Sequence, residues 1–571
     1  MTTFSELRRL SRQDLSGKPP VRVALVGDSA TQLLAVALRG EAARNGVNIE
    51  LYEAEYDQVE PELLVQTSEL HRFGASYVVL FQSTAHLLDA YDRMPHDERN
   101  KLAEWRLSQV EQFLQSTPAT LIVMNYPERD DAVYGSHASK VDYSFIYQLR
   151  LLNLGLMDMA RHNDRLQIVD LCLIQAEIGR SHMLDTAVSV STDMQLSIDI
   201  LPVVARRTLE IVWAMQGRFH KCLIMDLDNT LWGGEVGELG WQGIDLGRGL
   251  GIGKVFVGIQ HWARKLRQQG VILAVVSKND DNRAREPFLH HPDMVLRMDD
   301  IAVFVANWNS KAENIRLVQR ILNIGYDAMV FLDDSPFERN LVRQQLPEVC
   351  VPELPEDPAE YMNTLSSLNL FETTAVSNAD TARTRQYQQE AKRMESSLTF
   401  SNETEYLRSL QMTCQVDSLT DYNCPRVAQL TQRSNQFNLR TVRYTETQLR
   451  ELDQDADAFI RTFTLADRFG ASGLIGVLIA KRQPDGLFID SWLMSCRVLK
   501  RGVEHFMLNV LVELARECGC NSIVGEYLPS PKNGMVSSLY PSLGFKQTGV
   551  EGRYRLDVQT FEPITCYINR Q

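Results

Sequence analysis

No stretch of this sequence is long and apolar enough to read as a membrane span, and its opening residues, MTTFSELRRLSRQD, lack the apolar core of a secretory leader. Basic residues are in deficit: 59 Lys and Arg stand against 73 Asp and Glu, a formal charge of −14. A nucleic-acid partner needs clustered cationic surface, so that class is set aside along with membrane partners. Cysteine is sparse and unpatterned. Nine cysteines, an odd number without metal-ligand spacing, fit a reducing cytoplasm rather than a disulfide framework. Even the closest pair, Cys518-Gly519-Cys520, has a gap too short for the usual zinc knuckle and reads as structural. The remaining composition, 44% hydrophobic and 23% charged over 571 residues, is that of a soluble globular chain. At about 150 residues per domain it predicts three to four domains.

What is present is organised around KCLIMDLDNTLWGG, Lys221 to Gly234. Four apolar residues, Cys222 to Met225, suit a strand buried in a parallel sheet. Asp226, Asp228 and Thr230 then emerge at its carboxyl end, where open α/β sheets place their ligands. Two carboxylates there can split one task, with Asp226 attacking and Asp228 giving and taking a proton. Taken alone, the pattern also reads as a non-catalytic acidic turn. Three further anchors follow in order: VILAVVS ending in Ser277, Lys311 opening a helical pattern, and AMVFLDD ending in Asp333 and Asp334. A phosphoryl group brings negative charge toward a negative nucleophile, and Lys311 together with a metal can offset it.

These four segments resemble motifs I to IV of the haloacid dehalogenase (HAD) superfamily. The resemblance implies a transient acyl phosphate on Asp226, phosphoryl contacts from Thr230, Ser277 and Lys311, and Mg²⁺ held by Asp226, Asp228, Asp333 and Asp334. An acid at position 228 points to phosphatase-type chemistry rather than that of P-type ATPases. Only residues 231–276 separate the first two motifs, too few for a folded cap, so the HAD Rossmann-like domain, expected over 216–372, is capless and open. Within that interval Trp232-Gly233-Gly234 reads either as a turn or as a loop aiming backbone N–H groups at a substrate.

Ahead of this domain, VRVALV (Val21 to Val26) followed by Gly27-Asp28-Ser29 resembles the first block of SGNH hydrolases. Strand patterns at Tyr77 to Phe81 and Thr120 to Met124 extend a flavodoxin-type α/β domain over 1–215, with Asn125 in the place of a later block. The D-x-x-H that would supply the base is missing between Asp170 and Pro202, where the one histidine, His182, has no Asp three residues before it. A serine without a base is a weak nucleophile at neutral pH, so the domain is expected to be non-catalytic.

After a polar linker over 373–400, residues 401–571 carry strand patterns at Phe459 to Leu465, Gly473 to Ala480, Gly486 to Ser495 and Ser522 to Tyr527. A helical stripe of Val503, Phe506, Met507, Val510 and Leu514 separates the last two. The ending Tyr540 to Phe545 resembles GNAT acyltransferases, which implies a GNAT-like α+β domain. Its junction, Cys496-Arg497-Val498-Leu499-Lys500-Arg501-Gly502, departs from the GNAT glycine loop and offers a thiol instead. Cations and a helix start beside Cys496 favour its thiolate, while burial in a strand is the equal alternative. Arg497, Lys500 and Arg501 read as a landing patch for an acidic partner or as a solvated charge run. The amides Gln429, Gln432, Asn435, Gln436 and Asn438 read as hydroxyl- or amide-binding groups or as turn contacts. His505 is a base beside Cys496 or a structural histidine, and Lys532-Asn533 is a further candidate contact to a pantetheine phosphate.

Taken together, the motif I segment, FLDDSPFER, RVAQLTQRSNQFNL (Arg426 to Leu439) and LMSCRVLKRGVEHF (Leu493 to Phe506) resemble the FkbH-like proteins over essentially the whole α/β multidomain chain. The resemblance implies transfer of a glyceryl group from 1,3-bisphosphoglycerate to the phosphopantetheine thiol of an acyl carrier protein, with loss of phosphate, for polyketide assembly. Cys496 would carry the glyceryl group as a thioester, and Arg497 and Arg501 would bind substrate or carrier. The competing expectations are a Mg²⁺-dependent phosphatase of a small metabolite without acyl transfer, and an acyltransferase or scaffold with an inactive HAD part.

Overall fold

The computed structural model describes residues 2–374, 387–390, 393, 396, 400, 402–434, 436–495 and 498–571. The chain divides into two compact units, Met1–Trp213 and Ala214–Gln571.

Five apolar runs in the first unit form strands β1 (Val21–Gly27), β2 (Ile49–Glu53), β3 (Tyr77–Phe81), β4 (Thr120–Met124) and β5 (Leu166–Val169). They pair in parallel in the order β2-β1-β3-β4-β5, the flavodoxin-type order expected from the sequence. Helices cover both faces, so β1, β3 and β4 are buried almost end to end.

The second unit holds two sheets. Strands β6 (Cys222–Met225), β7 (Ile272–Ser277), β8 (Val303–Ala306) and β9 (Met329–Leu332) form a parallel sheet in the order β8-β7-β6-β9. Every residue of β6, β7 and β9 is buried, as a two-sided helical cover requires. Between β6 and β7 stand the helices Val236–Gly243 and Gly253–Gln268, and no further sheet or domain is inserted there.

The other sheet comprises β10 (Met412–Asp417), β11 (Ala458–Asp467), β12 (Gly470–Gln483), β13 (Gly486–Met494), β14 (Ser522–Glu526), β15 (Lys546–Gln547), β16 (Arg553–Asp557) and β17 (Ile568–Arg570). Its order is β15-β16-β14-β13-β12-β11-β10-β17. Asp467 pairs with Gly470, so Arg468 and Phe469 make a two-residue hairpin loop. Strands β13 and β14 are parallel and pair only at Leu487↔Ile523 and Phe488↔Val524, after which they splay apart. Helix Val503–Glu517 connects them and buries the predicted stripe of Val503, Phe506, Met507, Val510 and Leu514. This mixed sheet with a splayed parallel pair is the GNAT-like α+β arrangement.

The central and C-terminal domains share one unit, although the sequence separates them by a polar linker. The Lys532 ammonium pairs with Asp327 across the boundary, and Arg443 Nη2 donates to the Gln216 carbonyl at 3.4 Å. Tyr387, from the linker, packs into the core beneath the central sheet.

Candidate active site

Parallel pairing fixes which residues meet. Met225 lies beside Val275 and Leu332, so Asp226, Ser277 and Asp333 all emerge at one edge of the central sheet. Lys311 opens helix Lys311–Leu322, which Ser310 and Glu313 begin with a reciprocal capping box. Its ammonium sits 2.5 Å from Asp226 Oδ2 and 2.5 Å from Asp333 Oδ2, with all three side chains buried. Burial opposes the lysine's charge, yet the two carboxylates more than compensate and hold its pKa above the ordinary value. The carboxylates of Asp226, Asp333 and Asp334 offer one oxygen each within 4.8 Å of one another. Asp226 Oδ1 is buried and has no hydrogen-bond partner among the described residues.

The second acid-bearing loop is braced from behind. Arg339 Nη1 donates to the carbonyls of Asp333 at 2.9 Å and Asp334 at 2.6 Å, and the Ser335 N–H donates to Asp333 Oδ1 at 2.9 Å. The Thr230 hydroxyl accepts from the Asp334 N–H at 3.2 Å, joining the first loop to the last. Burial first, then repulsion from Asp226, pushes the Asp333 carboxyl up to about 7 against the pull of Lys311. Burial also raises Asp334. The site therefore gathers more negative charge than one lysine offsets, and hard oxygen donors around an unpartnered carboxylate oxygen fit a divalent cation such as Mg²⁺.

Asp228 plays a different part from its neighbours. Its Oδ1 accepts from Trp232 Nε1 at 2.8 Å and from the Val236 N–H at 3.1 Å, and its Oδ2 accepts from Asn279 Nδ2 at 2.8 Å. The same Asn279 donates to Ser277 Oγ at 3.3 Å. Four metal carboxylates were expected, but three donors claim both oxygens of Asp228 and its side chain does not join the cluster of three. The turn begins at Asn229, whose φ of 53° reverses the chain so that Trp232 comes back over Asp228. Gly233 exchanges backbone hydrogen bonds with Asp245 at 3.0 and 2.8 Å, and the Gly234 N–H donates to Asn229 Oδ1 at 2.9 Å. A Cβ on Gly233 would meet Asp245 Cβ at 2.9 Å and Phe256 Cε2 at 3.0 Å, so close approach requires glycine here. These N–H groups hold the loop together, which is the turn reading of Trp232-Gly233-Gly234. Asn279 and Arg339 were not singled out from sequence, and Trp232 was read only as part of its loop, although each lies within a few residues of a motif acid or hydroxyl.

At the C-terminal junction, Cys496 and Arg497 lie outside the described residues, as does Asn435. Arg501 corrects an expectation. Only 4% exposed, it pairs with Glu390 and lies 3.5 Å from Asp467, which Arg393 also grips at 2.7 Å. Its guanidinium is consumed inside the domain and is not presented to a partner; Lys500 beside it is exposed. Asn438 is fully buried and spends its amide on the Ser434 carbonyl and the Thr441 N–H, a turn role. Asn533 is equally buried and binds the carbonyls of Asn438 and Leu528 at 2.9 Å each. In the first unit, Ser29 Oγ is buried without a hydrogen-bond partner among the described residues. Asp28 beside it accepts from the Ser83 N–H, and burial pushes its carboxyl up to about 6. His86 places Nε2 3.3 Å from Asp193 and Nδ1 3.9 Å from Asp28.

Comparison with known proteins bears on this geometry. A solved structure from Bacteroides fragilis, the N-terminal part of protein BF1531 containing a phosphatase domain and complexed with Mg, is 51% identical to this chain. The match covers 66% of this chain and 100% of that one, with a TM-score of 0.65. The family model for the FkbH N-terminal domain matches residues 22–213. The chain belongs to the FkbH-like HAD phosphatases. Its FkbH match ends at the same residue as the first compact unit, so the carboxylate edge lies wholly in the second unit. Weaker likenesses reach the Escherichia coli ribosomal-protein-S18-alanine N-acetyltransferase, 16% identical over 26% of this chain and 94% of that one, TM-score 0.21. The GNAT domain of S. lividans PAT is 17% identical over 25% and 89%, TM-score 0.20. The C-terminal fold of this FkbH-like chain rests on its own strand order rather than on these. No curated protein matches the chain. Among the described residues, no helix is long and apolar enough to cross a membrane.

Proposed function

We propose that this FkbH-like phosphatase transfers a glyceryl group from 1,3-bisphosphoglycerate to the phosphopantetheine thiol of an acyl carrier protein, removing phosphate at the carboxylate edge of its central sheet. The observation that carries the phosphatase half is the unpartnered Asp226 Oδ1, held beside Lys311 at the mouth of a parallel sheet. Asp226 attacks phosphorus, the bond to the leaving oxygen breaks, and Asp228 supplies the proton that oxygen needs. Asp228 then takes a proton from the water that releases phosphate from Asp226. Trp232, Val236 and Asn279 keep its carboxylate aimed through both steps. Lys311 offsets phosphoryl charge, and Thr230 and Ser277 offer hydroxyls to phosphoryl oxygens. Asp226, Asp333 and Asp334 would hold Mg²⁺, the ion present in the B. fragilis relative. When bound, it supplies further positive charge against the phosphoryl oxygens.

For the transfer half, Cys496 accepts the acyl group. Its sulfur forms a bond to the acyl carbon as the acyl-phosphate C–O bond breaks, and the carrier thiol then displaces it. Support comes from the sequence, where Cys496 precedes Arg497 and Lys500 just ahead of helix Val503–Glu517. The absence of an inserted cap between β6 and β7 agrees with a substrate delivered on a carrier.

Intact-protein mass spectrometry after mixing the protein with 1,3-bisphosphoglycerate and Mg²⁺, beside Cys496→Ala and Asp226→Asn, tests both halves. A hydroxylamine-labile glyceryl adduct absent in Cys496→Ala is expected, with the phosphorylated adduct persisting in Asp226→Asn. Phosphate release with no adduct on any cysteine would leave a phosphatase of a small metabolite instead.

A further inference from the structure

Two polar residues at the carboxyl edge of the central sheet have no part in the chemistry above. Lys278 follows Ser277 at the end of β7, and Glu338 stands in the first turn of helix Pro336–Gln345, just after the acids that end β9. Strands β7 and β9 are the two neighbours of β6. The Lys278 ammonium donates to Glu338 Oε1 at 2.6 Å, so this pair ties together the two loops that flank Asp226.

Local sequence assigns Glu338 a different task. Ser335-Pro336-Phe337-Glu338 has the spacing of a capping box, like Ser310 to Glu313, where the glutamate reaches back to the N–H that opens the helix. Here that N–H, on Ser335, donates to Asp333 Oδ1 at 2.9 Å instead. Glu338 is thereby released from its cap and turned across the sheet to Lys278. It is 7% exposed, and its second oxygen, Oε2, is buried with no hydrogen-bond partner among the described residues. The other such carboxylate oxygen at this edge, among the described residues, is Asp226 Oδ1. A buried acceptor is costly to leave unpaired, so a mere brace between loops does not account for Oε2.

What the pair can hold follows from its donors and acceptors. An ammonium carries three N–H donors, and Glu338 takes one; the Lys278 side chain is 36% exposed and open to a ligand. The unpartnered carboxylate oxygen repels anionic oxygens and accepts from an O–H or N–H. Donor and acceptor sit on one ion pair, within reach of a single atom. A hydroxyl supplies both functions from one oxygen, whereas a trans amide points its N–H and C=O in opposite directions and an ammonium accepts nothing.

We propose that Lys278 and Glu338 form a leaving-group subsite that selects phosphate esters with a hydroxyl on the neighbouring carbon. The hydroxyl donates to Glu338 Oε2 and accepts from Lys278 while Asp226 attacks phosphorus. The pair has no net charge, so it reads the organic part of the substrate and leaves the phosphoryl charge to Lys311. This inference rests on the phosphatase half of the reading above and adds a substrate class to it; the transfer half does not enter.

The test measures phosphate release by the full chain with saturating Mg²⁺ from 3-phosphoglycerate and from 3-phosphonooxypropanoate, which lacks only the hydroxyl. The value of kcat/KM should be about tenfold higher or more for the hydroxylated ester, because a site built around a hydroxyl leaves a buried acceptor unpaired when that hydroxyl is missing. Glu338→Met should bring the ratio to within about threefold of one. Lys278→Met, changed at the more accessible end of the pair, should lower the ratio at least threefold, and it carries the test if Glu338→Met does not fold. A structural brace would depress both esters together and keep the ratio. Equal kcat/KM for the two esters in the natural chain, or a ratio unaltered in the variants, refutes the subsite alone. Release from neither ester removes the phosphatase reading and the subsite with it.

Discussion

Lys311→Met isolates the electrostatic design of the carboxylate edge. Among the described residues its ammonium is the one cation within 2.5 Å of both Asp226 and Asp333, and it is itself only 3% exposed. Methionine fills similar volume without charge, leaving three carboxylates crowded within 4.8 Å. Removing one partner of a buried ion pair costs about 3–5 kcal/mol, so metal-free Lys311→Met should unfold at markedly lower denaturant than the natural chain. The measurement belongs at pH 8. Removing Lys311 also removes the pull that lowers Asp333, so that carboxyl rises above the value of about 7 it has in the natural chain; proton uptake then relieves the repulsion as pH falls, and the deficit should be smaller at pH 6 than at pH 8. Mg²⁺ at a hundred times its dissociation constant adds about 2.7 kcal/mol by mass action and should recover much of the loss. Phosphate release with saturating Mg²⁺ should still fall by about 10²–10³, the usual effect of deleting one preorganised charge at a reacting centre. Release within threefold of the natural rate would refute the role given to Lys311, whatever happens to stability.

Asp228→Asn should keep the fold and slow phosphate release by about 10²–10⁴, because both proton transfers lose their acid and base; full turnover would remove Asp228 from the mechanism. Asp28→Asn addresses the first unit. A folded pKa of about 6 against an ordinary value near 3.8 means that the contribution of Asp28 to stability is full below pH 4 and is lost as pH rises through about 6. The loss is on the order of 3 kcal/mol. Denaturation of Asp28→Asn across pH 4 to 6 should lack that decline, and an unchanged slope would contradict the burial argument. Arg501→Ala should lower the unfolding midpoint by leaving Arg393 alone to offset Glu390 and Asp467, while leaving the Michaelis constant for the carrier as it was. A raised Michaelis constant with unchanged stability would restore the docking role for Arg501.

The parallel sheets and most of the carboxylate edge were readable from the order of residues along the chain. Short apolar runs ending in polar residues leave few ways to fold, because buried strands between helices must be parallel and must deliver those residues to one edge. Asp226, Ser277, Lys311 and Asp333 were legible for that reason, and the stripe from Val503 to Leu514 for its helical period. The remaining features depend on contacts between distant segments. The Asp228 side chain is drawn away from the carboxylate cluster by Asn279 and Trp232, through a reversal at Asn229 that no periodicity announces. Arg501 reads like its neighbour Lys500 in sequence, yet Glu390 and Asp467, 111 and 34 residues away, bury the one and leave the other in water. The central and C-terminal domains read as separate in sequence yet share one unit, because packing across a polar linker carries no local signature.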